Sequence, residues 1–394
     1  MSSLIKKINH TLERTWPYSP YQFSLWRIGL GVYLFVYAVL LLPYVVTLYS
    51  SAGIFSGPLL PFLFPNILYF NASPIVVYTL AILQILSALG IALGYRRRLS
   101  VILYLYIAAV FLQWNPLTED PSLAFTHFSL ALLLLIPTGE PLSLSRAKSK
   151  WYMPYFVYAS SLVIIGVGFS MSGLDKLQAL GWRNGDALYY LFQYPITYDV
   201  WWLSWLTTQP LWLSQLETWF TLAVMLLALP MLLWRKTRFL SWFLITLFFV
   251  GTLFVFDLVQ VSIGVLLYMV FIFDRRWIPG SDESLTMYYD ESCAFCRGWV
   301  AFVQAEDFSQ KITPIPIQHS EYSTTNHCYE SIIVLSADSQ VRKCSVAVVA
   351  LLHSLGGMWR FFALLLSAVP LSWRDRGYLW VAKNRFIFNT RTKI

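Results

Sequence analysis

Residues 239–276 read FLSWFLITLFFVGTLFVFDLVQVSIGVLLYMVFIFDRR, and Asp257 is the one charge in the apolar stretch that precedes Asp274. About 20 apolar residues suffice to cross ~30 Å of hydrocarbon. The stretch is therefore two spans that turn at Asp257, or one long tilted helix. The choice fixes the span count and the side on which everything after residue 276 lies.

The rest of the chain shares this character: of 394 residues, 57% are hydrophobic and 12% charged, where a soluble domain carries about a quarter charged. Apolar runs at about 23–48, 75–94, 99–114, 122–137, 153–172, 215–233, 239–256 and 258–273 are the expected spans, eight in all. Lysine and arginine gather in cytoplasmic loops near span ends. With the N-terminus inside, Lys6, Lys7, Arg14, Arg96–Arg98, Arg146, Lys148, Lys150, Arg235, Lys236, Arg238, Arg275 and Arg276 all fall inside. Only Lys176 and Arg183 fall outside. A seven-span chain would strand Arg275 and Arg276 outside, so the pattern favours eight, with both termini cytoplasmic. The net charge of +8 is thus loop charge at a membrane and not a nucleic-acid footprint. Residues 49–74 and 187–213, rich in aromatics, read as re-entrant or interfacial pieces. No cleaved signal peptide and no fixed-period repeat is read.

After Pro279 and Gly280 the composition shifts, dividing the chain into a helical bundle over 1–278 and a small soluble domain over 279–394. SDESLTMYYDESCAFCRGWVAFVQAED reads as linker, strand, turn and helix. KITPIPI, ESIIVLSA and QVRKC supply further strands, and SVAVVALLHSLGG has helical periodicity. The fold expected is a polytopic α-helical membrane bundle followed by a small α/β thioredoxin-like domain.

All four cysteines, Cys293, Cys296, Cys328 and Cys344, lie in this tail. A CxxC directly after a strand and at a helix start has the thioredoxin-like placement. Unpaired N–H groups at a helix N-terminus stabilise a thiolate. Cys293 is then the nucleophile, and Cys296, one turn on, resolves the mixed disulfide. Arg297 favours the thiolate; Asp290 and Glu291 oppose it. Two other readings of the same residues stay open: an inert motif, or a zinc site drawing on the four cysteines with His319 or His327. Thiol exchange by Cys293 and Cys296 is favoured over zinc because the second cysteine pair lacks CxxC spacing and the first follows a strand directly, so no metal is expected.

The tail's residues also carry a resemblance. YYDESCAFC, Cys344-Ser345-Val346-Ala347, and Pro370, Arg374-Asp375, Tyr378, Val381-Ala382 and Asn384-Arg385-Phe386 resemble the signatures of the DCC family of thiol-disulfide oxidoreductases. The resemblance implies a thioredoxin-like fold and redox chemistry. Two departures are Glu291 in place of the family's glycine, and no proline before the third strand, where thioredoxins hold a substrate-contacting cis-proline.

Within the bundle, ionisable residues are costly and each needs a role. Arg27 in FSLWRIGLG pairs with Asp257 or Glu217, or reaches a lipid headgroup. His127 opens the fourth run, as a proton donor or a hydrogen-bonded interfacial histidine. Lys176 follows GVGFSMSG, as a base or as the partner of Asp175, Asp186 or Glu217. Residues 17–276 resemble the HTTM family, related to vitamin K-dependent γ-carboxylase, through the Arg27 context, His127 in THFSLALLLL, and Lys176 in DKLQALGW with Gly185. That resemblance nominates Lys176 as base and His127 as its assistant, and suggests a quinone or vitamin K-like hydroquinone as cofactor; the bundle's own polar residues Arg27, Glu217 and Asp257 are the candidates to bind such a ligand. The carboxylase's large lumenal region has no counterpart here.

The function expected is a membrane-integrated thiol-disulfide oxidoreductase in the inner (plasma) membrane of a bacterium. Its partners are membrane lipid and a thiol or disulfide carried by a protein or small molecule. The alternatives are a carboxylase-like enzyme acting through Lys176 and His127, and a non-enzymatic transporter or maturation factor for a secreted peptide.

Overall fold

The computed structural model describes residues 15–55, 57–60, 64–119, 122–145, 151–319, 332–338 and 340–385. Several expected features lie outside them: Lys6, Lys7, Arg14, Arg146, Lys148, Lys150, His327, Cys328 and Phe386. The described chain is mostly helical and falls into two units: Phe23–Phe273 with the residues before Tyr18, and Tyr18–Gln22 with the residues from Asp274 onward.

In the first unit, α1 (Pro20–Leu41) runs on through Tyr49, followed by α2 (Pro74–Leu93), α3 (Arg97–Trp114), α4 (Ser122–Leu135) and α5 (Tyr155–Lys176). Then come α6 (Leu211–Leu226), α7 (Arg238–Val255) and α8 (Val259–Ile272). Five of these, α1, α2, α3, α5 and α7, are long and apolar enough to cross a membrane. The other three expected spans are shorter: α4 and α8 have 14 residues each, and α6 stops at Leu226 before a separate short helix, Ala228–Leu233. Eight full-length spans are therefore not what the helices themselves display. The 239–276 stretch does break at Asp257. Trp242 Nε1–H donates to the Met269 carbonyl at 2.8 Å, so α7 and α8 fold back on each other as a hairpin. Residues 187–213, expected as interfacial pieces, form short helices at Ala187–Phe192 and Ser204–Thr208.

Two glycines allow a close approach at one end of the bundle. A Cβ on Gly31 would meet the Ala92 backbone at 2.4 Å, and Gly94 ends α2 in the left-handed region, φ +67°. The approach brings the Arg27 guanidinium to the α2 terminus, where it donates to the carbonyls of Ile91 (2.8 Å) and Ala92, and to Leu142 (2.7 Å). Its ion-pair partner is Glu140, at 3.0 Å. Arg97 lies 3.8 Å from the same carboxylate oxygen and donates to the Ile136 and Pro137 carbonyls. The expected pairing of Arg27 with Asp257 or Glu217 is thus corrected. Tyr33 of α1 sits level with Gln260, and Trp26 with Phe271. Arg27 is six residues, about 9 Å of rise, from Tyr33, on the side away from Asp257.

In the second unit a four-stranded mixed sheet has order β2-β1-β3-β4, from β1 (Leu285–Tyr289), β2 (Ile312–Pro316), β3 (Ile333–Ser336) and β4 (Val341–Lys343). β1 and β2 are parallel, joined through α9 (Ala294–Glu306); β1–β3 and β3–β4 are antiparallel. α10 (Cys344–Leu355), α11 (Gly357–Ala368) and α12 (Leu371–Asn384) follow. Strand alternation sends Leu285 and Met287 to one face, where Val300, Val303, Ala347 and Leu351 complete the core. Arg275, counted above as a loop charge, is built into this unit: it donates to the Glu306 and Leu355 carbonyls and lies over Phe308 at 3.8 Å.

Because Arg27, Glu140 and Arg97 are all buried, removing the anion leaves two cations uncompensated, at a cost of about 3–5 kcal/mol. Thermal unfolding of the detergent-solubilised protein should show Glu140→Ala far less stable than Glu291→Ala, which alters an exposed carboxylate. Equal melting temperatures would contradict the pairing.

Candidate active site: a buried dithiol

The loop between β1 and α9 is shaped by one carboxylate. Asp290 Oδ1 accepts from Ser292 N–H (3.0 Å) and Ser292 Oγ–H (2.6 Å), turning the chain as soon as the strand ends. It also accepts from Gln318 Nε2 at 3.0 Å, which ties the loop to the end of β2. Cys293 then takes the N-cap position of α9 with extended backbone, and its Sγ accepts from Cys296 N–H at 3.4 Å. A sulfur that receives an otherwise orphan helix N–H is well placed to carry negative charge.

Both thiols are withdrawn from solvent, Cys293 at 0% exposure and Cys296 at 4%. Burial pushes the Cys296 thiol up to about 12, and the hydrogen bond and charge of Cys293 push the same way; Arg385 pulls it down. The cation beside the pair is therefore Arg385. Its Nη1 donates to Cys296 Sγ at 3.9 Å, and its Nη2 lies 3.5 Å from Asp290 Oδ2. The expected helper, Arg297, instead turns its guanidinium to the Glu291 carbonyl at 2.7 Å.

The remaining signature residues converge on the same region. Arg374 Nε donates to Ser345 Oγ at 2.9 Å, and Asp375 accepts from the Ser345 hydroxyl and from its backbone N–H (3.3 Å), so the Arg-Asp pair holds the start of α10. Tyr378 Oη accepts from Ile332 N–H at 2.8 Å, immediately before β3. Arg385 of the Asn-Arg pair reaches the dithiol. The sequence marked these residues only as a resemblance; their roles come from the fold of α12 across the helix starts.

Cys296 faces a cavity of about 540 Å³ whose walls include Phe295, Trp299, Leu366, Trp373 and Trp380, with Arg374 and Arg385 as its cations. Of the alternative zinc ligands, Cys328 and His327 lie outside the described residues; among the described residues no three metal-ligating side chains converge.

The bundle candidates do not form one site. Lys176 lines an aromatic cavity of about 610 Å³ together with Trp182, Trp205, Phe220 and Glu217. Its Nζ donates to Ser172 Oγ at 2.9 Å and lies 5.3 Å from the Trp182 ring centroid. No ion pair with Asp175, Asp186 or Glu217 accompanies it among the described residues. Glu217 instead accepts from Gln209 Nε2 at 2.9 Å, and Asp186 from Gln215 Nε2 at 3.2 Å. His127 lines a different, far smaller cavity of about 40 Å³ with Tyr33, Tyr104 and Gln84. Phe125, two positions away on α4, faces the Lys176 cavity; residues two apart on a helix point to different faces, which is why His127 does not. Asp257 lies at the helix break, where Tyr198 Oη–H donates to it at 3.5 Å. Arg27, Glu217 and Asp257 thus belong to three places, and no common ligand site unites them.

Residues 287–391 match the family of DCC1-like thiol-disulfide oxidoreductases. No curated protein and no solved structure matches the chain. The family match covers the dithiol and its surroundings and leaves the bundle aside.

The raised Cys296 thiol has a measurable consequence, because a thiol below its pKa carries little of the reactive thiolate. In a Cys293→Ala variant, mass-spectrometric alkylation of the Cys296 peptide should keep accelerating up to pH 10. Adding Arg385→Leu should slow it at every pH. A plateau below pH 9 would contradict the assignment.

Proposed function

We propose that the chain is a membrane-integrated thiol-disulfide oxidoreductase in which Cys293 attacks and Cys296 resolves. The observation that carries this is the N-cap geometry: the Cys293 sulfur receives the Cys296 N–H, while Cys296 is buried and its thiol is pushed up by that burial. The strand order β2-β1-β3-β4 with β1 and β2 parallel supports a thioredoxin-like domain.

In the reductive direction the Cys293 thiolate attacks one sulfur of a disulfide RS–SR′, forming Cys293–S–SR and expelling R′S⁻, which takes a proton. Cys296 then gives up its proton and attacks the Cys293 sulfur, releasing RS⁻, which is protonated in turn. The substrate gains two electrons and the dithiol becomes the Cys293–Cys296 disulfide. Arg385, beside the Cys296 sulfur, favours the thiolate as it forms.

The bundle reading takes all eight apolar helices as crossing the inner membrane of a bacterium, with both termini cytoplasmic and the dithiol at rest reduced. In this reading the protein acts as a reductant on a protein or small-molecule disulfide. The aromatic cavity beside Lys176 suits a quinone-like or lipid ligand. A carboxylase-like role for Lys176 with His127, drawn from the HTTM resemblance, has less support, since the two residues line separate cavities.

Cys296→Ser should accumulate mixed disulfides that reducing agent releases, detected as mobility shifts after oxidative challenge of cells producing the full chain. Cys293→Ser and the double variant should form none. Equal trapping by both single variants would overturn the assignment of attacking and resolving thiols.

A further inference from the structure

α11 carries large apolar side chains on two faces. Trp359, Ala363 and Leu366 pack inward on the second unit's core, yet Phe361, Phe362, Leu364 and Leu365 are exposed on the other side. A helix of this kind is normally covered on both sides. The exposed strip continues through Val369 and Leu371 to Trp373 and Trp380, each 68% exposed, one above the other at a seven-residue spacing on α12. Contiguous apolar surface of this kind marks an interaction site.

The composition of the strip selects its partner. Tryptophans beside long basic side chains are the pattern of a helix lying in a membrane interface, where the indoles sit at headgroup level and the cations reach the phosphates. Arg376 and Lys383 are exposed, each three residues past an exposed tryptophan and so neighbours of it on the helix surface. Asp375, the one acidic residue from Gly357 to Arg385, is turned to Ser345. The outer face of α12 is therefore cationic. The tether is short as well: α8, the last apolar helix before this unit, ends at Ile272 and β1 begins at Leu285. Trp373 and Trp380 are also walls of the cavity that Cys296 faces.

We propose that the face formed by α11 and α12 docks on an anionic bilayer surface, which turns the mouth of the Cys296 cavity toward lipid. Its substrates are then amphiphilic or membrane-borne disulfides, reached at the interface and not from bulk water. The proposal rests on the membrane-integrated reading above.

The test reconstitutes the full chain into nanodiscs containing phosphatidylglycerol and a diazirine-bearing phospholipid, and maps photoadducts by peptide mass spectrometry. Adducts on residues 357–385, at a density like that on α1 and α2, are expected. Arg376→Gln and Lys383→Gln should each lower the adducts on this segment roughly fivefold, with those on α1 and α2 unchanged. Adducts confined to α1–α8, or adducts on 357–385 that ignore both substitutions and persist in purely zwitterionic discs, would overturn the docking surface. Extraction of the chain from native membranes by alkaline carbonate, with no adducts anywhere, would overturn the membrane reading itself and is distinguishable from either result.

Discussion

Asp290 sits buried at the carboxyl end of β1, and the bonds to its two oxygens hold together parts of the chain that lie far apart in sequence. One oxygen turns the backbone through Ser292 and takes the amide of Gln318; the other faces the guanidinium of Arg385. A buried carboxylate without partners would cost several kcal/mol, so the loop, the end of β2 and the end of α12 are obliged to meet here. Cys293 reaches the N-cap of α9 because this turn delivers it there. Cys296 has a cation beside it because the same carboxylate recruits Arg385.

The dithiol is chemically asymmetric as a result. Cys293 Sγ accepts a helix amide, whereas Cys296 is held protonated by burial and by its neighbour, against the pull of Arg385. An exchange enzyme needs this difference: one sulfur must be ready to attack and the other must wait until a mixed disulfide forms. Exclusion of water serves the same end, since a dry pair is guarded from adventitious oxidants. In the proposed exchange reaction the aromatic cavity on the Cys296 side is the route by which a partner would come near.

The bundle repeats the principle at another place. Glu140 is buried between Arg27 and Arg97, and one or both terminal nitrogens of each arginine donate to carbonyls at or just beyond helix ends. This fixes how α1, the end of α2 and the start of α3 meet. Glu217, which pairs with Gln209 eight positions away, sets no comparable long-range geometry.

Sequence alone determined the local facts. Apolar runs placed the helices, the lone charge at Asp257 placed the break between α7 and α8, period-two alternation placed the strands, and a CxxC after a strand placed the dithiol at a helix start. These follow from backbone hydrogen bonding and side-chain periodicity over a few residues. The tertiary structure decided which charges meet. Glu140 drew no notice because it lies beyond an apolar run; its partners are 43 and 113 positions away in sequence. Arg385 stood in a quoted signature without a role, and Arg297 looked the nearer helper because it adjoins Cys296. Adjacency in sequence sends neighbouring helical side chains to different faces, whereas the fold brings the last turn of α12 to the first turn of α9. For the same reason Lys176 and His127, nominated together, line separate cavities: facing is set by helix rotation and packing, which no stretch of sequence contains.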